Sequence, residues 1–195
     1  MSPDSALIQS LAAALPLPGD ALRVLARGFT ARQVGKGQAL LHRGEPWRQV
    51  LWIERGALRM YFSRRDGREF NKNFFLEGAL LCPLTPAMWA EPSLFEIAAV
   101  ESGRVWCAEA TTWRERLSAL NQWEPLRLEL LTRLLNHKLQ REHDLLTLDA
   151  RRRYAAFSAR EPRLAQRIPL LHLASYLGMT DVTLSRIRHD AVRGQ

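Results

Sequence analysis

The chain has 195 residues, 47% of them hydrophobic, and a formal net charge of +8. This size and composition suit one medium domain with an appendage and exclude a disordered chain. No apolar run approaches the roughly 20 residues that span a bilayer, and no secretory signal precedes the rest, so we expect no membrane association. Cys82 and Cys107 do not have a metal-ligand spacing. These features predict a cytoplasmic protein with reduced thiols and without a metal or cofactor.

The first half of the chain predicts short helices followed by strands. Residues 5–27 have a helical pattern that Pro16 and Pro18 divide into two pieces. From Phe29 to about Ala108, turn signals recur every eight to twelve residues, which is typical of a sandwich or barrel. The β-rich runs between these turns are 49–53, 58–62, 70–76 and 95–100. We therefore predict an α+β chain with an N-terminal antiparallel β-barrel.

A long leucine-rich helix is predicted after Pro125. Its leucines cover more than one stripe, and a helix that is apolar on two sides must bury both of them. One side can pack on the barrel, and the other predicts a homodimer contact. The alternative is a helix buried wholly within one domain. The candidate dimerisation residues are Leu128, Leu131, Leu134, Leu135 and Leu145.

Residues 170–187 predict two short helices joined by a glycine turn. Pro169 suits a first helical turn, Gly178 suits a left-handed backbone, and Thr180 suits an N-cap of the second helix. This pattern fits a helix-turn-helix that binds DNA. An ordinary helical hairpin is the alternative, and no wing is expected after the second helix.

The charge is concentrated in the same region. Residues 150–195 contain nine Arg and three acidic residues, a net +6, which leaves only +2 for residues 1–149. A basic end on a nearly neutral body favours a polyanionic partner, and double-stranded DNA fits best. Arg186 could bind a guanine edge, whereas Thr180 and Thr183 would contact phosphates. The candidate DNA contacts are Thr180, Asp181, Val182, Thr183, Ser185, Arg186 and Arg188.

The order of barrel, leucine-rich helix and helix-turn-helix resembles the Crp/Fnr family of bacterial transcription regulators. The resemblance is carried by residues 34–37, 43–46, Gly56 and 171–188. It implies a jelly-roll barrel like that of cyclic-nucleotide-binding domains, a homodimer and a two-fold symmetric DNA site. It also implies RNA polymerase as a partner and a small-molecule effector of unknown identity. The expected divisions are a sensor domain over 1–121, a dimerisation helix over 122–148 and a DNA-binding domain over 149–195.

The sequence departs from this family where cyclic nucleotides bind. Gly78 is followed by Ala79 instead of a Glu, and Pro92-Ser93 stands where an Arg-Ser or Arg-Thr pair is expected. Without that cation, burial of a phosphate would be costly, so we expect no cyclic-nucleotide binding of the usual kind. The candidate effector pocket includes Gly78, Leu81, Cys82 and Ser93. The alternative is a barrel that its own side chains fill, without a pocket.

Other functions have less support in the residues. His137 and His143 lie six residues apart, a spacing that does not place both side chains well for binding a haem. No nucleophile, paired carboxylate or phosphate-binding loop in the sequence indicates an enzyme. Two rivals stay open. One is a ligand-binding or protein-interaction module with little DNA binding, and the other is a regulator that responds to a cyclic nucleotide.

Overall fold

The computed structural model of the chain describes residues 3–193. Its strands are β1 Thr30–Val34, β2 Ala39–Leu41, β3 Gln49–Arg55, β4 Leu58–Ser63, β5 Glu69–Phe75, β6 Leu80–Leu81, β7 Glu96–Ala99 and β8 Gly103–Glu109. Its helices are α1 Pro3–Ala14, α2 Gly19–Ala26, α3 Pro86–Ala90, α4 Ala110–Ala119, α5 Trp123–Thr147, α6 Ala150–Arg160, α7 Pro162–Arg167, α8 Leu170–Tyr176 and α9 Asp181–Arg193. No helix among these residues is both long and apolar enough to cross a membrane.

The strands pair in two antiparallel sheets, with the orders β1-β8-β3-β6 and β2-β7-β4-β5. The prediction of antiparallel strands in this region is confirmed, while closure of the strands into one barrel stays a prediction. Both faces of β3 are covered, so four of its successive residues are buried and the usual alternation is absent. Leu51 and Ile53 face the second sheet, while Val50 and Trp52 face the N-terminal helices.

The N-terminal helices complete the core on one side of the sheets. Leu7, Leu11 and Leu25 pack with Trp113 of α4 and with Leu126 at the start of α5. This cluster therefore anchors the first turns of α5 to the strands and the N-terminal helices.

Helix α5 is exposed over much of its remaining length. Leu128 and Leu135 are solvent-exposed, whereas Leu131, Leu134 and Leu145 are only half-buried. The alternative of a helix buried wholly within one domain is therefore wrong for this chain. The large apolar side chains that α5 exposes are Leu128, Leu135, Leu139 and Leu146.

The C-terminal helices form a separate apolar cluster. Phe157 of α6 and Ile168 pack with Leu173 and Ala174 of α8 and with Leu184 of α9. Phe74 of β5 belongs to the same cluster. The C-terminal helices therefore share part of their core with the second sheet.

Candidate nucleic-acid interface and sensor cavity

Helices α8 and α9 are joined by a turn that contains Gly178, and we call α8, the turn and α9 the helix pair. Gly178 has a φ of +65°, and a Cβ there would lie 2.9 Å from Cδ2 of Leu145. The predicted left-handed turn is thus present, and the space beside it is too small for a side chain. The small residue Ala174 is buried in the helix pair together with Leu177 and Leu184.

The start of α9 is capped as the sequence predicts. Oγ1 of Thr180 accepts a hydrogen bond from the backbone N–H of Thr183 at 3.1 Å, which is the geometry of an N-cap. The two threonine hydroxyls also lie 2.8 Å apart and share a hydrogen bond. Both predicted phosphate-contacting threonines therefore stand in the first turn of the helix, where the helix dipole favours anions.

Helix α9 presents one exposed face. Val182, Ser185, Arg186 and His189 are exposed and follow the i, i+3, i+4, i+7 spacing of a single face. Asp181 is also exposed, at the first position of the helix. The Arg186 guanidinium is thus available for an external partner, as the sequence predicts.

Arg188 flanks the exposed face of α9 and is bonded within the chain, and its role as a DNA contact stays a prediction. Its Nε donates to the hydroxyl of Tyr154 at 3.1 Å, and its Nη2 donates to the carbonyl of Ala165 at 2.7 Å. It follows Leu184 by four residues and Ser185 by three, so it lies at the edge between the buried and exposed sides of the helix. Arg188 therefore joins α9 to α6 and α7.

Two arginines outside the helix pair hold its turn, and sequence reasoning missed both roles. Arg141 of α5 donates through Nη2 to the carbonyl of Tyr176 at 2.8 Å. Arg153 of α6 donates to the carbonyl of Leu177 at 2.6 Å and to that of Leu148 at 2.9 Å. These carbonyls end helices α8 and α5 and lack partners within the helices. Because both arginines lie far from the helix pair in the sequence, no local sequence pattern predicts their contacts with its carbonyls.

The helix pair also rests on β5, an edge strand of the second sheet. Oγ of Ser175 accepts from the backbone N–H of Asn71 at 3.1 Å and donates to the carbonyl of Glu69 at 3.1 Å. Helix α8 thereby satisfies backbone groups that an edge strand would otherwise expose. A further contact joins Glu77 to Arg167 of α7 at 2.7 Å, and hydrogen bonding from Arg167 lowers the pKa of Glu77 to about 2.

A cavity of about 350 Å³ lies between the strands and α5. Three of the four predicted effector-pocket residues line it, namely Gly78, Leu81 and Cys82. Ser93 is not part of the cavity wall. Its Oγ donates to the carbonyl of Phe95 at 2.7 Å and accepts from the N–H of that residue at 3.2 Å. Ser93 therefore stabilises its own turn, and its assignment to the pocket is corrected.

The cysteine in the cavity wall is not a reactive thiol. Cys82 is buried, and its burial raises the pKa of the thiol to about 12. Because the thiolate is the nucleophilic form, Cys82 acts as a small apolar residue at neutral pH.

The sequence did not indicate several other residues in the wall of this cavity. Lys72 of β5 and the apolar side chain of Trp47 line it, as do Arg133 and His137 of α5. His137 also reaches the helix pair, since its Nε2 lies 3.1 Å from the hydroxyl of Tyr176. The cavity and the end of α8 thus share one side chain.

The chain matches no family model and no curated protein sequence. Its structure is similar to that of FixK2 from Bradyrhizobium japonicum, with a TM-score of 0.75, 22% identity and coverage of 85% of this chain and 86% of that one. A CooA mutant from Carboxydothermus hydrogenoformans has a TM-score of 0.69 and 19% identity, and the match covers 96% and 84% of the two chains.

A transcriptional regulator of the Crp/Fnr family from Eubacterium rectale is also similar, with a TM-score of 0.69 and 16% identity. The match covers 91% of this chain and 85% of that regulator. At these identities the likeness concerns the fold, and nearly the whole of each chain takes part in it. The chain therefore has the fold of the Crp/Fnr regulators.

Proposed function

We propose that this chain is a DNA-binding transcription regulator of the Crp/Fnr type. The observation that carries the proposal is the exposed face of α9, where Val182, Ser185 and Arg186 stand beyond a capped helix start. In such a regulator the helix pair is a helix-turn-helix, and α9 enters the major groove. The exposed Arg151 and Arg152 of α6 add positive charge that suits phosphates.

The regulator would act in the bacterial cytoplasm as a homodimer joined along α5. The exposed leucines of α5 give an apolar stripe that no other part of the described chain covers. A two-fold dimer would present two α9 helices to two half-sites, which must lie about 34–36 Å apart. RNA polymerase is the further protein partner that this function implies.

An effector in the cavity would act through α5 and the helix pair. A ligand there would contact His137, whose ring also contacts Tyr176 at the end of α8. A shift of His137 would therefore move Tyr176. Since Arg141 binds the carbonyl of Tyr176, the shift would reach the turn of the helix pair. We expect such a shift to change how the two α9 helices are spaced, and hence the affinity for DNA.

Selection of bound fragments from genomic DNA of the source organism tests this function. We expect enrichment of short two-fold symmetric sequences, and a smaller enrichment with a variant in which Arg186 is replaced by Ala. Recovery of fragments without a common sequence would contradict the proposal and support a ligand-binding or protein-interaction module. Repetition with added cell extract would show whether a small molecule changes the enrichment.

Cyclic AMP and cyclic GMP are expected not to bind the cavity. Ala79 lines it where a Glu would accept from the ribose, and no Asp or Glu is found in its wall among the described residues. Ribose hydroxyls would lose their hydrogen bonds to water without gaining a carboxylate acceptor, which is costly. Calorimetry should show no saturable heat at micromolar nucleotide. A dissociation constant in the micromolar range would instead favour the regulator that responds to a cyclic nucleotide.

A further inference from the structure

The cavity wall contains a lysine without a carboxylate partner among the described residues. Nζ of Lys72 lies 3.4 Å from Sδ of Met60 and 5.1 Å from the centre of the Phe95 ring. Burial, together with the positive charges of Lys138 and Arg141, lowers the pKa of Lys72 to about 8. An ammonium that is withdrawn from water without an anion is energetically unfavourable.

A tryptophan packs beside this lysine. The Trp47 ring packs edge-on against Phe95, with the ring centres 5.5 Å apart, and Lys72 lies over the same Phe95 ring. The indole Nε1 of Trp47 is buried in this packing, so Trp47 contributes apolar surface to the cavity wall. Lys72 therefore places a positive charge among apolar neighbours.

Most of the rest of the cavity wall is apolar, apart from Asn73, Arg133 and His137. Its volume of about 350 Å³ lies at the lower end of the range of small-molecule sites. An occupant of such a cavity would have a small hydrocarbon or aromatic body. The wall around that body includes Met60, Phe75, Leu80, Leu84, Met88 and Leu130.

We propose that this cavity binds a small molecule with an apolar body and one carboxylate head group, to which the Lys72 ammonium donates. A carboxylate would receive a charge-assisted hydrogen bond there, and would neutralise Lys72. The role of this molecule as an effector rests on the proposed function, whereas its binding does not.

The other charged groups near Lys72 have partners of their own or line a neighbouring groove, so the carboxylate head group of a ligand would bind Lys72. Arg133 already binds Glu129 at 2.6 Å, and His137 contacts Tyr176. Lys138, Arg141 and Glu142 face Lys72 from the neighbouring groove beside α5. Affinity for a carboxylate should therefore fall as the pH rises through about 8, where Lys72 loses its proton. Affinity for a neutral analogue should stay constant.

Titration calorimetry with octanoate and 4-phenylbutyrate, each compared with its primary amide, tests the proposal. At pH 7 we expect one or both acids to bind at least about tenfold more tightly than the matching amide. Lys72→Met should bring acid and amide to similar affinities. Lys36→Met, which removes the same charge from an exposed turn, should change neither.

The proposal is overturned if neither acid gives saturable heat, if the amides bind as well as the acids, or if Lys72→Met keeps the preference. Retained amide binding would show that this variant folds. If it fails to fold, the wild-type protein still decides, since its preference for the acid must decline between pH 7 and pH 9. Calorimetry needs no DNA, so failure of DNA binding would not be mistaken for failure of this site.

Discussion

Replacement of Leu135 and Leu139 together by Asp is expected to convert the proposed dimer into monomers. Leu128, Leu135, Leu139 and Leu146 are 66%, 55%, 55% and 78% exposed, which is unusual for four leucines of one helix. At 3.6 residues per turn they fall within an arc of about 40°, and their intervals of seven, four and seven residues match a coiled-coil seam. Two carboxylates buried in that seam would weaken association by about a thousandfold, or about 4 kcal/mol.

Sedimentation velocity measures this change directly. Leu94 and Leu171 provide a matched control, because they are 73% and 64% exposed and lie outside α5. Replacement of both by Asp changes the net charge by the same amount and should leave the proposed dimer intact. A dimer that survives the α5 substitutions would place the interface elsewhere. The monomer should also lose tight binding to duplexes that carry two half-sites, since each half-site alone contributes only part of the affinity.

The substitution Arg186→Ala is expected to weaken specific DNA binding by about 1–3 kcal/mol and to relax the preference at one position of each half-site. Arg186 is exposed on the same face of α9 as Val182 and Ser185, without a salt bridge among the described residues. A free guanidinium on a helix in the major groove can bind O6 and N7 of guanine together. Val182 has no polar group and can contact only a thymine methyl.

Binding titrations against a selected palindromic site and a scrambled duplex of equal length separate base contacts from phosphate contacts. Arg151→Ala is the control, because it removes one exposed arginine from α6 and should weaken both duplexes alike. It should also reduce the salt dependence of binding. Equal weakening of both duplexes by Arg186→Ala would make Arg186 a phosphate contact and contradict its assignment to a base.

The turn of the helix pair could be predicted because its determinants are local. Gly178 has the positive φ that its position requires, and Thr180 caps the helix that begins at the next residue. The strands could be predicted for the same reason, since turn residues and alternation act over a few neighbours. The two departures at Ala79 and Pro92 were likewise visible without a structure.

Only the tertiary structure decided which face of each element is covered. Leucine spacing predicted a second partner for α5, but the exposed stripe includes Leu139 and Leu146, which the predicted set lacks, while Leu131 and Leu134 are half-buried. Arg186 and Arg188 are two residues apart, yet one is exposed and the other bonds Tyr154 and Ala165. Their environments depend on α6 and α7, which pack beside α9.

The residues that line the cavity were the hardest to predict from the sequence, because they depend on the tertiary structure. Ser93 was predicted to line it and does not, whereas Lys72 does, from a strand on which nothing in the local sequence marks it. Burial lowers the pKa of Lys72, and the side chains that its Nζ contacts, Met60 and Phe95, come from other parts of the chain. Local sequence determines turns and periodicity, but the solvation of a charge depends on residues far apart in the chain, which only the folded arrangement brings together.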